Sequence, residues 1–220
     1  MRAHKTLFIT ATDTHVGKTV ATFVLGTLLN AKGHGVGVMK PVQCGGNDAA
    51  FLKKALKLDD DLSLINPCYA PEPLSPHLAF RRAGKAVDLQ KIRRCYESLR
   101  SRHEVLLIEG AGGLMVPLKH GYYNADLIRD LNAEVIIVSR LGLGTINHTL
   151  LTVEAVQAKG LNIRGIVFSD TNPKMKSIAE KNNPIAIKRL SGVKVLGTIP
   201  YLKQMTVKEV LNKCKNIAIG

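Results

Sequence analysis

The chain has 220 residues, 45% of them apolar and 22% charged, with no tryptophan, 5% aromatics and a formal charge of +14. That length suits one α/β-sized domain with roughly 70–75% of its unfolded surface buried on folding, and that composition argues against disorder and calls for an aliphatic core. Cys44, Cys68, Cys95 and Cys214 form no Cys-x-x-Cys pair, which argues against a zinc site or disulfide scaffold and fits a reduced cytoplasmic setting.

Short apolar runs then alternate with helical patterns along the chain. Residues 7–11 read as a first strand, and 16–32 as a helix closed by Gly33, the residue a left-handed cap prefers. Residues 35–42 read as a second strand and 49–58 as a helix. The segment holding Pro67, Pro71, Pro73 and Pro76 reads as irregular. A basic helix over 87–103 carries Leu89, Ile92, Tyr96 and Leu99 as its buried stripe. Residues 105–109 form an apolar strand ending on Glu109, and 125–131 a short helix with Asn124 as its cap. Strands follow at 135–138, 164–168 and 193–199, with helices at 146–158 and from Val207 onward. Continuous apolar strands each followed by a helix predict a parallel sheet with helices on both faces, in one domain spanning 1–220.

The N-terminus has too short an apolar stretch for a secretory signal, and no run approaches the ~18 apolar residues of a membrane span. The excess positive charge is densest at 81–102, on a helix that reads as solvated. Without aromatics interleaved for base stacking, it argues against a nucleic-acid partner.

In a parallel sheet, ligands gather beyond the carboxyl ends of the strands. The first strand runs into Thr12-Asp13-Thr14-His15-Val16-Gly17-Lys18-Thr19, with a helix starting at once. Gly17-Lys18-Thr19 in that context is the core of a phosphate loop. Gly17 admits the backbone close to phosphate, Lys18 neutralises it, and the Thr19 hydroxyl faces a magnesium site. The helix N-terminus adds a partial positive charge. The common spacing asks for glycine at position 12, where Thr12 stands after Ala11. These features predict a nucleoside-triphosphate enzyme with P-loop architecture.

Other strand ends add candidates. Lys40 closes the second strand before Pro41-Val42-Gln43-Cys44-Gly45-Gly46, and a lysine buried there needs an anion. Asp48 reads either as a first-turn helix acid or as a metal ligand. Glu109 opens the turn Gly110-Ala111-Gly112-Gly113, where phosphate-loop enzymes hold magnesium, so Thr19, Asp48 and Glu109 form an oxygen-only set. The stretch Leu143-Gly144-Thr145-Ile146-Asn147-His148 reads either as an anion-binding corner or as a tight turn before a helix. His148 reads as a packing or surface residue, and His4, His34, His77, His103 and His120 form no ligand set.

Together the motifs at 12–19, 40–42, 75–79 (Ser-Pro-His-Leu-Ala), 109–113 and 143–148 resemble the dethiobiotin synthetase family over nearly the whole chain. The resemblance implies a homodimer with the active site at its interface, using ATP, magnesium and CO2 from bicarbonate. It implies carboxylation of 7,8-diaminopelargonate, phosphorylation of the carbamate and closure of a cyclic urea. Lys18, Lys40 and Thr14 would be catalytic. His15, Val16, Gly17, Lys18, Thr19, Val20, Asp48, Glu109, Gly110, Ala111 and Gly112 would surround the nucleotide phosphates and metal. Ser169, Asp170, Pro200, Tyr201 and Leu202 would meet the base. Lys40, Cys44, Gly144 and Asn147 would meet the diamine substrate, with Asn147 supplied by a partner subunit.

The chain departs from that family's pattern at Ala11, His15, Cys44 and Ser169. Ala11 replaces a leading glycine, so the turn is expected to manage without a residue free for positive φ. Cys44 replaces a serine and is a weaker donor; Ser169 replaces an amide that pairs with adenine, which predicts looser base selectivity. Two other readings share the loop. An amide ligase of the cobyrinic acid type normally carries a further glutamine-hydrolysing domain, for which this length leaves no room. A partition or cell-division ATPase carries an extra lysine early in the loop, where this chain has Thr12 and Asp13; its basic, mildly amphipathic tail at 207–219 fits such a protein better.

Overall fold

A computed structural model describes residues 4–172 and 176–219. The chain runs through β1 (Lys5–Ala11), α1 (Lys18–Ala31), β2 (Val36–Met39), β3 (Val42–Cys44), α2 (Asp48–Leu56), α3 (Leu62–Ile65), β4 (Cys68–Ala70), α4 (Pro76–Arg82) and α5 (Leu89–Arg102). It continues with β5 (Val105–Glu109), β6 (Pro117–Lys119), β7 (Tyr122–Tyr123), α6 (Asn124–Asp130), β8 (Glu134–Arg140), α7 (Thr145–Ala158), β9 (Ile163–Ser169), α8 (Ile178–Ser191), β10 (Val195–Ile199) and α9 (Val207–Lys213).

Six strands form one parallel sheet in the order β10-β9-β8-β1-β5-β2. Side chains alternate across it: Leu7, Ile9 and Ala11 pack with α1, α2 and α9, while Phe8 packs on the opposite face with α5, α6, α7 and α8. The sheet is therefore covered on both faces, which is why its strands are apolar without polar alternation. Because β1 lies between β8 and β5, chain order reverses around it, and the loop after β1 opens into the crevice where such sheets bind ligands.

Several sequence expectations need correction. The run 35–42 is not one strand. β2 stops at Met39, and β3 pairs with β4 in a separate small sheet. Pro41 has no N–H for a ladder, and the backbone of Lys40 is taken by Ile65 O (2.7 Å) and Asn66 Nδ2 (2.7 Å). The proline-rich segment is not irregular throughout: it holds β4 and α4, with Pro76 in the first turn, where a missing N–H costs nothing. Helix α8, which the apolar patterning does not announce, starts at a Ser177–Glu180 capping box and tolerates Pro184 inside it. The hairpin of β6 and β7 was likewise unannounced. On α5 the buried stripe includes Cys95 as well as Ile92, Tyr96 and Leu99, and Leu89 is only half-buried. Among the described residues no helix is long and apolar enough to cross a membrane.

Candidate active site

The loop from Thr12 to Thr19 begins where Thr12 N bonds Val138 O (3.0 Å), tying it to β8. The turn needs two residues at positive φ, and it takes them later than the sequence suggested. His15 has φ 58° and Gly17 has φ 95°, while Ala11 ends β1 in extended backbone. The missing glycine at position 11 therefore costs nothing, and His15 bears roughly 1 kcal/mol of left-handed strain instead. Gly17 is required twice over: besides its φ, a β-carbon there would lie 2.4 Å from Ser169 Oγ.

Lys18 opens α1 with its side chain buried, and its Nζ donates to Asp13 O at 3.4 Å. Burial above all, then the neighbouring Lys40 ammonium, pushes its pKa down to about 8. Lys40 reaches the same place from the end of β2. Its Nζ donates to Asp48 Oδ2 at 2.9 Å and forms a closer ion pair with Glu109 Oε1. Burial opposes the Lys40 charge, but the two carboxylates and their hydrogen bonds outweigh it and raise the pKa. Asp48 is thus both the first residue of α2 and an ion-pair partner. Lys40 from the end of β2 contacts Glu109 directly, and Lys18 from the start of α1 lies near enough to feel the charge of both.

Glu109 is wholly buried. Its Oε1 accepts from Thr19 Oγ1 at 2.9 Å, while its Oε2 has no hydrogen-bond partner. An unpartnered carboxylate oxygen in that position is costly unless a cation or donor arrives. Among the described residues no group of three or more His, Cys, Asp or Glu side chains is arranged for a metal. Thr19, Asp48 and Glu109 instead fit magnesium, which takes one or two carboxylates and completes its shell with phosphate and water.

Two further side chains shape this site, neither of which the sequence places there: Gln43 reads only as part of a turn, and Asn124 reads as a helix cap. Buried Gln43 accepts from Ala49 N (3.0 Å) and donates to Gly46 O (2.9 Å), which holds Cys44-Gly45-Gly46 against the start of α2. Asn124 does not cap its helix; Tyr123 occupies that position, and its amide bonds Asp126. The Asn124 amide instead donates to Ala111 O and Gly113 O, both at 2.8 Å, fixing the turn after Glu109. A buried polar residue between apolar neighbours was the available signal for both. Asn124→Ala is expected to leave those carbonyls unpaired and cost about 1–3 kcal/mol, measured by urea unfolding.

The remaining candidates are more scattered. Thr14 and His15 are exposed on the loop, whereas Val16 is buried and Val20 half-buried in α1. Gly110, Ala111 and Gly112 line the turn beyond Glu109. Cys44 is half-buried, and burial pushes its thiol pKa up to about 11, so it acts as a neutral side chain. Ser169 is buried against Gly17 and does not face open space. The Asp170 carboxylate is held by Lys176 at 2.5 Å, and its amide bonds Ile199 O. Of the three residues after β10, Pro200 is half-buried, Tyr201 exposed and Leu202 packed in the core. Gly144 and Asn147 are exposed at the start of α7.

Residues 5–209 match a family model described as an AAA domain. Among solved structures, the septum site-determining protein MinD complexed with Mg-ADP from Pyrococcus horikoshii superposes with a TM-score of 0.61 at 16% identity, covering 98% of this chain and 94% of that one. A ParA family ATPase from Chlorobium tepidum gives 0.58 at 11% identity, covering 99% and 96%. At such identities the likeness concerns the fold alone, a P-loop NTPase-like parallel sheet covered by helices. Sequence relatives are much nearer. An ATP-dependent dethiobiotin synthetase BioD from Thermodesulfovibrio yellowstonii is 39% identical over 92% of this chain and 91% of its own length. Namesakes from Bacillus thuringiensis (40%; 94% and 88%) and Methanocaldococcus jannaschii (39%; 88% and 92%) agree. Relatives this similar from end to end, together with a phosphate loop facing two lysines and a buried glutamate, place the chain in the dethiobiotin synthetase family.

Proposed function

We propose that the chain makes dethiobiotin from 7,8-diaminopelargonate, CO2 and ATP. The observation that carries this reading is the meeting of Lys18 and Lys40 beside Glu109 at the mouth of the phosphate loop. One amine of the diamine adds CO2, losing a proton, to give a carbamate. A carbamate oxygen then attacks the γ-phosphorus, and the bond to the ADP oxygen breaks. The second amine attacks the carbamate carbon, phosphate leaves, and the urea ring closes.

Every species on this path is anionic where it meets the protein, so the chain's task is electrostatic placement. Loop amides and Lys18 hold the β- and γ-phosphates, and Lys40 stabilises charge on the carbamate and the transferring phosphoryl group. Thr14 borders the reacting groups, and Cys44 borders the diamine. Thr19, Asp48 and Glu109 would hold magnesium, which would neutralise phosphate charge. Ser169 is too enclosed to read a base, so base contacts fall to Asp170, Pro200 and Tyr201.

A second copy of the chain completes the site in this reading. Gly144 and Asn147 lie on an exposed stretch with Leu143 and Leu151, both more than half exposed. That surface suits a homodimer in which Asn147 takes the substrate carboxylate across the interface.

The deciding experiment incubates the protein with the diamine, bicarbonate and ATP, CTP or GTP in turn, and identifies the product by mass. A product heavier than the diamine by one CO2 less one water supports the proposal. Nucleotide hydrolysis indifferent to the diamine would sink it. Turnover with CTP or GTP as well as ATP is the outcome expected from Ser169.

The depressed pKa of Lys18 makes binding pH-dependent. Triphosphate beside Lys18 favours its protonated form, so ATP binding at pH 8 is expected to take up a fraction of a proton, on the order of one half. Affinity should fall as pH rises above 8. Calorimetry in buffers of different ionisation enthalpy measures both.

A further inference from the structure

We propose that Arg140 is a positioning residue of the phosphate loop, holding the Asp13 carboxylate turned against the Thr14 amide and neutralising it before a triphosphate enters. This rests on residues 12–19 being the nucleotide site. Asp13 is the one acid in that loop, and an acid is out of place where a polyanion must bind. Its Oδ1 accepts from Thr14 N at 2.7 Å, and its Oδ2 lies 3.8 Å from Arg140 Nη2. Its charge reaches the Lys18 ammonium, and its carbonyl accepts from the same lysine, so it belongs to the pocket electrically as well as in sequence.

Arg140 is fixed for this role from behind. It ends β8, the strand that pairs with β1, so its backbone is carried by the sheet beside the loop. Its carbonyl accepts from Thr145 Oγ1 at 2.6 Å, and the preceding Ser139 is bonded to Thr145 and Thr149. Its Nη2 also donates to His148 Nδ1 at 3.2 Å. A guanidinium anchored on α7 and facing Asp13 ties the phosphate loop to the corner that carries Gly144 and Asn147.

The pair is part-exposed, so its effect is modest and salt-dependent: up to about 1 kcal/mol, or roughly fivefold in affinity. The test measures ATP binding to the full-length protein by calorimetry at low and high salt. Arg140→Ala is expected to weaken binding about threefold to fivefold at low ionic strength, with the gap closing near 1 M salt, where the Debye length is only about 3 Å. Asp13→Asn should bind more tightly than the parent, and in that background Arg140→Ala should cost clearly less, because no carboxylate is left for it to hold. Arg140→Lys, which keeps the charge, should restore most of the affinity, and it carries the comparison if the alanine variant does not fold.

An equal loss in both backgrounds, or a loss insensitive to salt, assigns Arg140 to direct contact or packing and overturns the proposal. So does a flat response to Arg140→Ala. Lys18→Gln serves as the separate control. If it too binds ATP normally, the nucleotide site lies elsewhere and both readings fall; if it binds poorly while Arg140→Ala is flat, only the Arg140 proposal falls.

Discussion

Lys18→Met is expected to slow turnover by orders of magnitude while making the unliganded protein more stable. The lysine is buried beside a second ammonium, and burial first, then that neighbour, depresses its pKa to about 8. Its folded value therefore lies below its unfolded one. At neutral pH the protein holds a charge in a place that disfavours it, at a cost on the order of 1–3 kcal/mol. Methionine keeps the aliphatic stem and removes that cost. Thermal melting at pH 7 should rise by roughly 2–4 °C per kcal/mol recovered. The unfolded chain binds the extra proton between pH 8 and 10.5, so parent stability climbs through that window and the variant's advantage shrinks. Catalysis goes the other way, since removing one such stabilising group typically costs about 10²–10³ in rate. A variant that melts lower than the parent would contradict this account.

Lys40→Met is expected to do the opposite to stability and the same to activity. Lys40 is only 4% exposed and Glu109 is fully buried, so the ammonium is the principal neutraliser of a carboxylate that water cannot reach. Removing one partner of a buried pair leaves the other charged and desolvated, at a cost of about 3–5 kcal/mol. Urea unfolding reads that loss directly. Lys40→Met/Glu109→Gln should recover a large part of it, because the orphaned charge goes too, without recovering turnover. Equal melting temperatures for the two single lysine variants would show that the pocket does not distinguish its cations in this way.

The sheet was legible because its strands are buried on both faces, so that residues 105–109 and 135–138 read as unbroken apolar runs. The Gly17-Lys18-Thr19 motif located Lys18, and strand ends located Lys40 and Glu109, since a charged residue after such a run stands out. What stayed hidden depends on contacts between distant segments. Asn124 looks like a cap from its place before a helix, and only folding brings the carbonyls of Ala111 and Gly113 to its amide. Pro41 interrupts a run that hydropathy alone treats as continuous. The positive φ of His15 was missed for a related reason: the loop motif fixes where phosphate sits, not which residue takes the turn.

The contact between Gly17 and Ser169 links two positions far apart in the chain. Any bulk added at residue 169 will press on the α-carbon that shapes the phosphate loop. Positions 17 and 169 are therefore not independent design variables in this protein, and a larger side chain at 169 has to be accommodated together with its neighbour in the loop.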